Sequence, residues 1–130
     1  MTAIDTNIIV RFLTGDDQKQ FAKVKQVFSQ QNLFIPDTVL LESEWVLRFA
    51  YHFTPLEINN AFTSLLGLPN VTTDTPLQLI QTLEMHKDGF DFADALHLAK
   101  SQPHSSIFLT FDKKFINIAK RKSDCKVKEP

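Results

Sequence analysis

The sequence contains few glycines and almost no cysteine, tryptophan or tyrosine. Its 130 residues include three Gly, one Cys, one Trp and one Tyr. The scarcity of glycine, together with long stretches in which apolar residues recur at helical spacing, favours a helix-rich fold and argues against an all-β sandwich. The single Cys125 excludes an internal disulfide framework and a thiolate metal cluster. The apolar content of 43% is sufficient to build a core.

Long apolar runs are also absent. No run approaches the roughly 20 residues that a membrane span needs, and Asp5 and Arg11 interrupt the apolar start, which is unlike a secretory signal. A chain of this length suits one compact domain, so we expect a single domain over residues 1–130. These features are typical of a cytoplasmic protein, and we expect no membrane partner.

The net charge of −1 predicts no partner, but the charge is unevenly distributed. Between Lys113 and Lys128 there are seven basic residues, Arg121 among them, and one acid, Asp124. A basic end on a near-neutral protein is compatible with local contact to nucleic acid. It is equally compatible with an ordinary solvated helix face.

Short apolar segments alternate with helical patterns along the chain. The segments that favour strands are residues 1–4, 33–35, 70–73, 107–109 and 126–128, and residues 107–109 form the clearest buried strand. This alternation predicts an α/β fold with a mostly parallel sheet and helices on both faces. In such sheets the functional crevice lies beyond the carboxyl ends of the strands. Asp5 and Asp112 each follow a strand, so we expect both carboxylates at that end.

Two glutamates in the helix predicted from about residue 39 differ in their setting. Successive helical residues turn by about 100°, so Glu42 shares an apolar face with residues such as Val39 and Trp45. Glu44 points the other way, and we predict a solvated residue paired with Arg48. A carboxylate on a buried face is costly unless it is paired or binds a cation. Glu42 is therefore either a paired or snorkelling side chain or a metal ligand.

The helix predicted from Phe92 carries two acids at its start. Asp91 is best interpreted as the helix N-cap. Asp94 lies one turn further, at the margin of the apolar face, where it is neither a cap nor fully solvated. The position of His97 favours its interpretation as an ordinary surface histidine. Asp5 and Asp112 could each be only helix caps. Separate structural roles for each of these acids would not, however, account for their expected convergence on one crevice.

Four segments, in order, resemble the acidic motifs of PIN domains. They are residues 3–11 (AIDTNIIVR), 39–48 (VLLESEWVLR), 91–99 (DFADALHLA) and 109–115 (LTFDKKF). The resemblance covers most of the chain, and within the family it is greatest to VapC-type toxins of bacterial toxin–antitoxin pairs. One such motif would be weak support, whereas four in the same order and spacing are specific.

The resemblance implies a three-layer α/β/α sandwich with a central, mostly parallel sheet of four to five strands. It also implies an endoribonuclease that depends on Mg²⁺, with Mn²⁺ as a substitute, and a homodimer inhibited by a small VapB-like antitoxin. All four acidic positions of the family's motifs are occupied by Asp or Glu in this sequence, which implies an active member of the family. The implied catalytic and metal-binding residues are Asp5, Glu42, Asp94 and Asp112, with Thr6, Asn7, Asp91 and Thr110 in supporting positions.

Three other functions fit parts of the pattern. A non-catalytic, RNA-binding PIN adaptor is the main alternative, although the full acid set argues against it. A receiver-like signalling domain would need an adjacent acidic pair directly after the first strand, and Asp16 and Asp17 follow a helix instead. A related nuclease that cuts branched DNA would need a longer chain. Hard divalent cations with carboxylate ligands suit phosphodiester hydrolysis, and water attack would leave 5′-phosphate and 3′-hydroxyl ends.

Overall fold

A computed structural model describes residues 1–120 and 122–130, and within them the chain forms seven helices and five short strands. Arg121, one of the seven basic residues between Lys113 and Lys128, lies outside the described residues. The strands are β1 (Thr2–Ala3), β2 (Leu33–Phe34), β3 (Val71–Thr72), β4 (Ile107–Leu109) and β5 (Lys126–Lys128). The helices are α1 (Thr6–Thr14), α2 (Gln18–Gln30), α3 (Asp37–Ala50), α4 (Pro55–Leu66), α5 (Pro76–Lys87), α6 (Phe92–Ser101) and α7 (Lys113–Ala119).

The chain divides into two compact units, which we call the N-terminal unit (Met1–Pro76) and the C-terminal unit (Leu77–Pro130). In the N-terminal unit, β1, β2 and β3 form a parallel sheet in that order, with Leu33 opposite both Thr2 and Val71. In the C-terminal unit, β4 pairs in parallel with β5. The predicted α/β fold with parallel strands is confirmed. None of the described helices is both long and apolar enough to cross a membrane.

Local capping sets the beginning of most helices. Asp5, Asp17, Asp91 and Asp112 are the N-caps of α1, α2, α6 and α7, and each accepts a hydrogen bond from a backbone N–H of its own helix. Such a cap satisfies a donor that the first turn leaves without a partner. The end of α1 is fixed by Gly15, whose φ of 62° lies in the left-handed region that favours glycine.

Each unit has its own buried side chains. In the N-terminal unit α1 packs against α2 and α3, and the fully buried side chains include those of Ile9, Leu33, Leu40 and Phe62. In the C-terminal unit the ring of Phe115 packs edge-on against Phe90 and at a tilt against Phe108. The core of that unit comprises Met85, Phe90, Ala95, Leu98, Ala99, Phe115, Ala119, Cys125 and Val127.

Two predicted burial patterns are wrong. In β4, Phe108 packs against the core of the C-terminal unit, whereas Ile107 and Leu109 are exposed because alternate side chains of a strand point to opposite sides. In α3 the buried face contains Leu40, Ser43, Glu44 and Leu47, and the face predicted to be buried is the more exposed one. Trp45 and Phe49 on that face are 57% and 53% exposed.

Candidate functional site

A pocket of about 370 Å³ lies in the N-terminal unit between the start of α1 and the middle of α3. It contains two of the four predicted acids, Asp5 and Glu42, and two of the predicted supporting residues, Thr6 and Asn7. The pocket is lined by Asp5, Thr6, Asn7, Val10, Arg11, Glu42, Val46, Ala50 and Tyr51. The fold therefore brings acids 37 positions apart in sequence to one cavity.

Asp5 lies where β1 ends and α1 begins. One carboxylate oxygen, Oδ1, accepts a hydrogen bond of 2.7 Å from the backbone N–H of Thr6. Its other oxygen, Oδ2, accepts no hydrogen bond from the residues that the structure describes, and the side chain is exposed. The N-cap role of Asp5 is thus compatible with a second role as a ligand, because the two roles use different oxygens.

Glu42 is held by the side chain of Thr6. The hydroxyl of Thr6, which is 7% exposed, donates a hydrogen bond to Oε1 of Glu42. Glu42 itself is exposed, so the prediction that it lies on a buried face is wrong. The hydrogen bond nevertheless orients its carboxylate at the pocket that contains Asp5.

Glu44 has the opposite setting to the one predicted. It is 2% exposed, and its two carboxylate oxygens accept hydrogen bonds from Nε and Nη2 of Arg48 at 2.8 Å and 3.1 Å. The predicted i,i+4 pair is confirmed, but the predicted solvation of Glu44 is wrong. Burial is tolerated here because a bidentate guanidinium neutralises the carboxylate and satisfies both oxygens.

A second pocket, of about 340 Å³, lies in the C-terminal unit and contains three acids. Asp91 caps α6 and accepts a hydrogen bond from the backbone N–H of Asp94, which confirms the cap interpretation. Asp112 caps α7 and accepts a hydrogen bond from the backbone N–H of Phe115. The pocket is lined by Gly89, Phe90, Asp91, Asp94, Asp112, Lys114, Phe115 and Ile118.

The surroundings of Asp94 in this pocket disfavour ionisation of its carboxyl. Burial raises the pKa of its carboxyl above the ordinary value of 3.8, and the negative charges of Asp91 and Asp112 raise that pKa further, while His97 acts in the opposite direction. Like charges that are close enough to raise a pKa in this way repel one another. A bound cation would relieve that repulsion.

The remaining predicted residues of the C-terminal unit have supporting positions. The half-buried Thr110 accepts a hydrogen bond of 3.1 Å at Oγ1 from the backbone N–H of Asp112, which fixes the turn that presents this acid. The backbone N–H of Thr110 is bonded to the carbonyl of Lys128. His97 is exposed, as predicted for an ordinary surface histidine.

The donor set is compatible with a hard divalent cation. Over residues 1–120 and 122–130, no three His, Cys, Asp or Glu side chains are arranged so as to hold a metal ion. Magnesium is commonly bound by one or two carboxylates and retains several waters. The pair Asp5 and Glu42, and the acids around Asp94, are sets of this kind.

Arg11 and Tyr51 also line the pocket of the N-terminal unit, and the sequence did not reveal them as candidates. Arg11 was detectable, since it lies one helical turn after Asn7 and therefore on the same face of α1. Tyr51 lies 40 positions further along the chain, and no local pattern connects it with the motif around Asp5.

A comparison with family models identifies the family of this chain. The model for the PIN domain matches residues 2–121. The chain belongs to the PIN domain family. PIN domains are typically nucleases that act on phosphodiester bonds, bind RNA and use divalent metal ions. Both acidic pockets fall within the matched part of this PIN domain. No curated protein matched the chain.

Proposed function

We propose that this PIN domain is an endoribonuclease that depends on Mg²⁺ or Mn²⁺, with Asp5, Glu42, Asp94 and Asp112 as its metal-binding carboxylates. The observation that carries the proposal is the pairing of Asp5 and Glu42 in one pocket, through Thr6. An acid with no role beyond surface solvation needs no buried hydroxyl to hold its carboxylate at a pocket. Oriented carboxylates with exposed oxygens are what a hard cation requires.

A divalent cation at these carboxylates would supply charge neutralisation and an activated water for phosphodiester hydrolysis. Three features of the chain favour the binding of such a cation. Asp5 leaves Oδ2 available while Oδ1 caps α1. Thr6 fixes the carboxylate of Glu42, and Thr110 fixes the turn before Asp112. The exposed Asn7 offers an amide to the substrate at the rim of the same pocket.

The activity is tested by incubating the purified protein with a structured RNA, with and without Mg²⁺. We expect cleavage only with the metal, and products that carry 5′-phosphate and 3′-hydroxyl ends. Asp5→Asn and Asp94→Asn should abolish cleavage, whereas Asp17→Asn, an exposed cap outside both pockets, should not. Equal rates for wild type and either pocket variant would refute the proposed mechanism. Absence of Mn²⁺ binding, with RNA binding retained, would favour the non-catalytic adaptor.

We also propose that the protein is a toxin of the VapC type that acts in the cytoplasm as a homodimer and is inhibited by a small antitoxin. The exposed Trp45 and Phe49 support a protein partner on α3, since their rings lie 5.0 Å apart on one face. Val46 and Ala50, on the same helix, line the pocket of Asp5. An antitoxin that covers these rings would therefore also cover the entrance to the carboxylates.

The toxin role has its own tests. An adjacent reading frame that encodes a small protein with a DNA-binding start and an amphipathic tail would support it. Controlled expression should arrest growth, and co-expression of that small protein should restore it. Harmless expression of the intact nuclease would refute the toxin role and leave the nuclease activity unaffected. Sedimentation of the purified chain tests the homodimer.

A further inference from the structure

A second pocket of the N-terminal unit adjoins the one that contains Asp5 and Glu42. It measures about 290 Å³ and lies between α1 and α2. Asn7 and Arg11 line both pockets, so these two side chains form a shared wall. The second pocket is lined by Asn7, Ile8, Arg11, Gln20, Lys23 and Val24. The acidic pocket thus continues past Arg11 into a pocket whose ionisable side chains are cationic.

The guanidinium of Arg11 is held in place at the shared wall. Its Nε donates to Oε1 of Gln20 at 2.6 Å, and its Nη1 donates to Oη of Tyr51 at 3.1 Å and to Oδ1 of Asp16 at 3.2 Å. The hydroxyl of Tyr51 donates to Oδ2 of Asp16 at 2.6 Å, which closes the network. Three neighbours from different parts of the chain therefore hold this planar group in place.

Part of this guanidinium is available to a ligand. The side chain of Arg11 is 28% exposed, and its Nη2 donates no hydrogen bond to the residues that the structure describes. The hydrogen bond with Tyr51 raises the pKa of Arg11 and lowers that of Asp16, so both groups stay charged. A fixed guanidinium with a donor to spare is well suited to a phosphate oxygen.

The other cations of the N-terminal unit are less well placed. The unit contains five basic residues, and Arg11 and Lys23 are the ones that line these pockets. Lys23 lies three positions after Gln20, on the same face of α2. Lys25, two positions further, points to another side of that helix. It is exposed and lines neither pocket.

We propose that Arg11 and Lys23 bind neighbouring phosphates of a single-stranded RNA whose path leads from Asp5 and Glu42 across Arg11 into the pocket between α1 and α2. The proposal rests on the proposed function, since it assigns a substrate path to the same site. Two carboxylates repel a phosphate backbone, so a strand that reaches them needs cations beside them. Tyr51 is a positioning residue in this scheme, because it acts through Arg11.

The test measures binding of a labelled single-stranded RNA of mixed sequence, without divalent metal so that nothing is cleaved. Lys23→Ala and Arg11→Ala should each weaken binding about five- to tenfold. Each should also lower the slope of log K against log salt concentration by about 0.7. The matched control Lys25→Ala should bind like wild type. Tyr51→Phe should weaken binding without lowering the salt slope, because the charge of Arg11 remains.

The outcomes separate this proposal from the proposed function. If wild type cleaves RNA with Mg²⁺ but Lys23→Ala and Arg11→Ala bind like Lys25→Ala, the RNA path is refuted and the nuclease stands. If wild type neither binds nor cleaves RNA, both are refuted. Thermal unfolding checks each variant. Should Arg11→Ala fail to fold, Lys23→Ala decides, since Lys23 makes no side-chain hydrogen bond or ion pair with a described residue.

Discussion

The hydroxyl of Thr6 donates a hydrogen bond to Oε1 of Glu42, and this bond joins the first turn of α1 to the middle of α3. We expect Thr6→Val, which keeps the shape but removes the donor, to release the carboxylate of Glu42. Cleavage should fall more than tenfold at low Mg²⁺, and the free energy of unfolding should fall by about 1 kcal/mol. Mg²⁺ titration of the cleavage rate and urea unfolding measure the two effects.

The matched control for this change is Thr82→Val. Thr82 is buried like Thr6, but its hydroxyl donates to the carbonyl of Gln78 within α5. Because that carbonyl belongs to the same helix, the loss should affect stability only slightly and cleavage not at all. Equal cleavage by Thr6→Val and Thr82→Val would show that Glu42 does not depend on Thr6.

The N-cap acids allow charge and capping to be separated. Asn replaces Asp well as a cap but lacks the charge. Asp5→Asn and Asp112→Asn should therefore lose cleavage and keep their stability, whereas Asp5→Ala and Asp112→Ala should also lose about 1 kcal/mol of unfolding free energy. Cleavage assays and urea unfolding on the same preparations compare the two losses.

Asp17 provides the control, since it caps α2 in the same manner, with a hydrogen bond of 3.0 Å from Gln20, and lines neither acidic pocket. We expect Asp17→Ala to lose a similar amount of stability while the folded fraction keeps its activity. A fall in activity for Asp17→Asn as large as that for Asp5→Asn would contradict the assignment.

Glu42 and Glu44 should give opposite results. Glu42 is exposed and oriented toward the pocket, so Glu42→Gln should abolish cleavage at little expense in stability. Glu44 is buried against Arg48, so Glu44→Ala should lower the unfolding free energy by about 1–3 kcal/mol, because the buried ion pair is lost. The rate per folded molecule should then be unchanged. A loss of activity in folded Glu44→Ala would contradict this division.

The raised pKa of Asp94 predicts a dependence of stability on pH. The folded chain holds this proton more tightly than the unfolded chain does, so ionisation of Asp94 lowers stability. That loss begins as the pH rises through the ordinary value of 3.8 and is complete above the folded pKa. Asp94→Asn should therefore gain stability relative to wild type as the pH rises to neutrality. Urea unfolding in EDTA over a pH series measures the difference.

Two further measurements check this interpretation. Asp124→Asn, which removes an exposed acid of the same unit that lines neither acidic pocket, is the matched control for the loss of one negative charge. Added Mg²⁺ should reduce the deficit of wild type but not change Asp94→Asn. A difference between wild type and Asp94→Asn that stays constant with pH would mean that burial and the neighbouring acids have no net effect.

The exposed apolar face of α3, formed by Trp45 and Phe49, should be dispensable for folding. Trp45→Ser and Phe49→Ser should change the unfolding free energy little, because both rings are more than half exposed. They should abolish inhibition by the proposed antitoxin in a cleavage assay. Leu77→Ser, an exposed apolar residue at the start of α5, is the matched control. Full inhibition of the Trp45 and Phe49 variants would exclude this face as the docking surface.

The sequence predicted most elements because their signals are local. The helix predicted from Phe92 does begin at Phe92, because Asp91 caps it as predicted. Thr54 and Glu57 form a capping box at the start of α4, and Pro55 occupies the first turn of that helix. Signals of this kind need no knowledge of the rest of the fold.

The buried face of α3 was not predictable in this way. The helix carries apolar residues on two sides, Leu40 and Leu47 on one and Trp45 and Phe49 on the other. The hydrophobic pattern therefore does not identify a single buried face of α3. Packing against α1 determines which face is buried. The ion pair of Glu44 with Arg48 then allows a charge to lie on the buried side. The contact of Arg11 with Tyr51 was out of reach for the same reason, as it joins distant segments.

Asp5 and Asp112 each line a pocket and each cap the beginning of a helix. A helix needs an oxygen at that position but has no need for its charge. A single codon change from aspartate to asparagine or serine at either position would thus silence the proposed chemistry and spare the fold. Where selection acts against the activity, we expect inactivating substitutions to appear first at these two codons. Homologues that are retained as folded binding proteins should then carry Asn or Ser there.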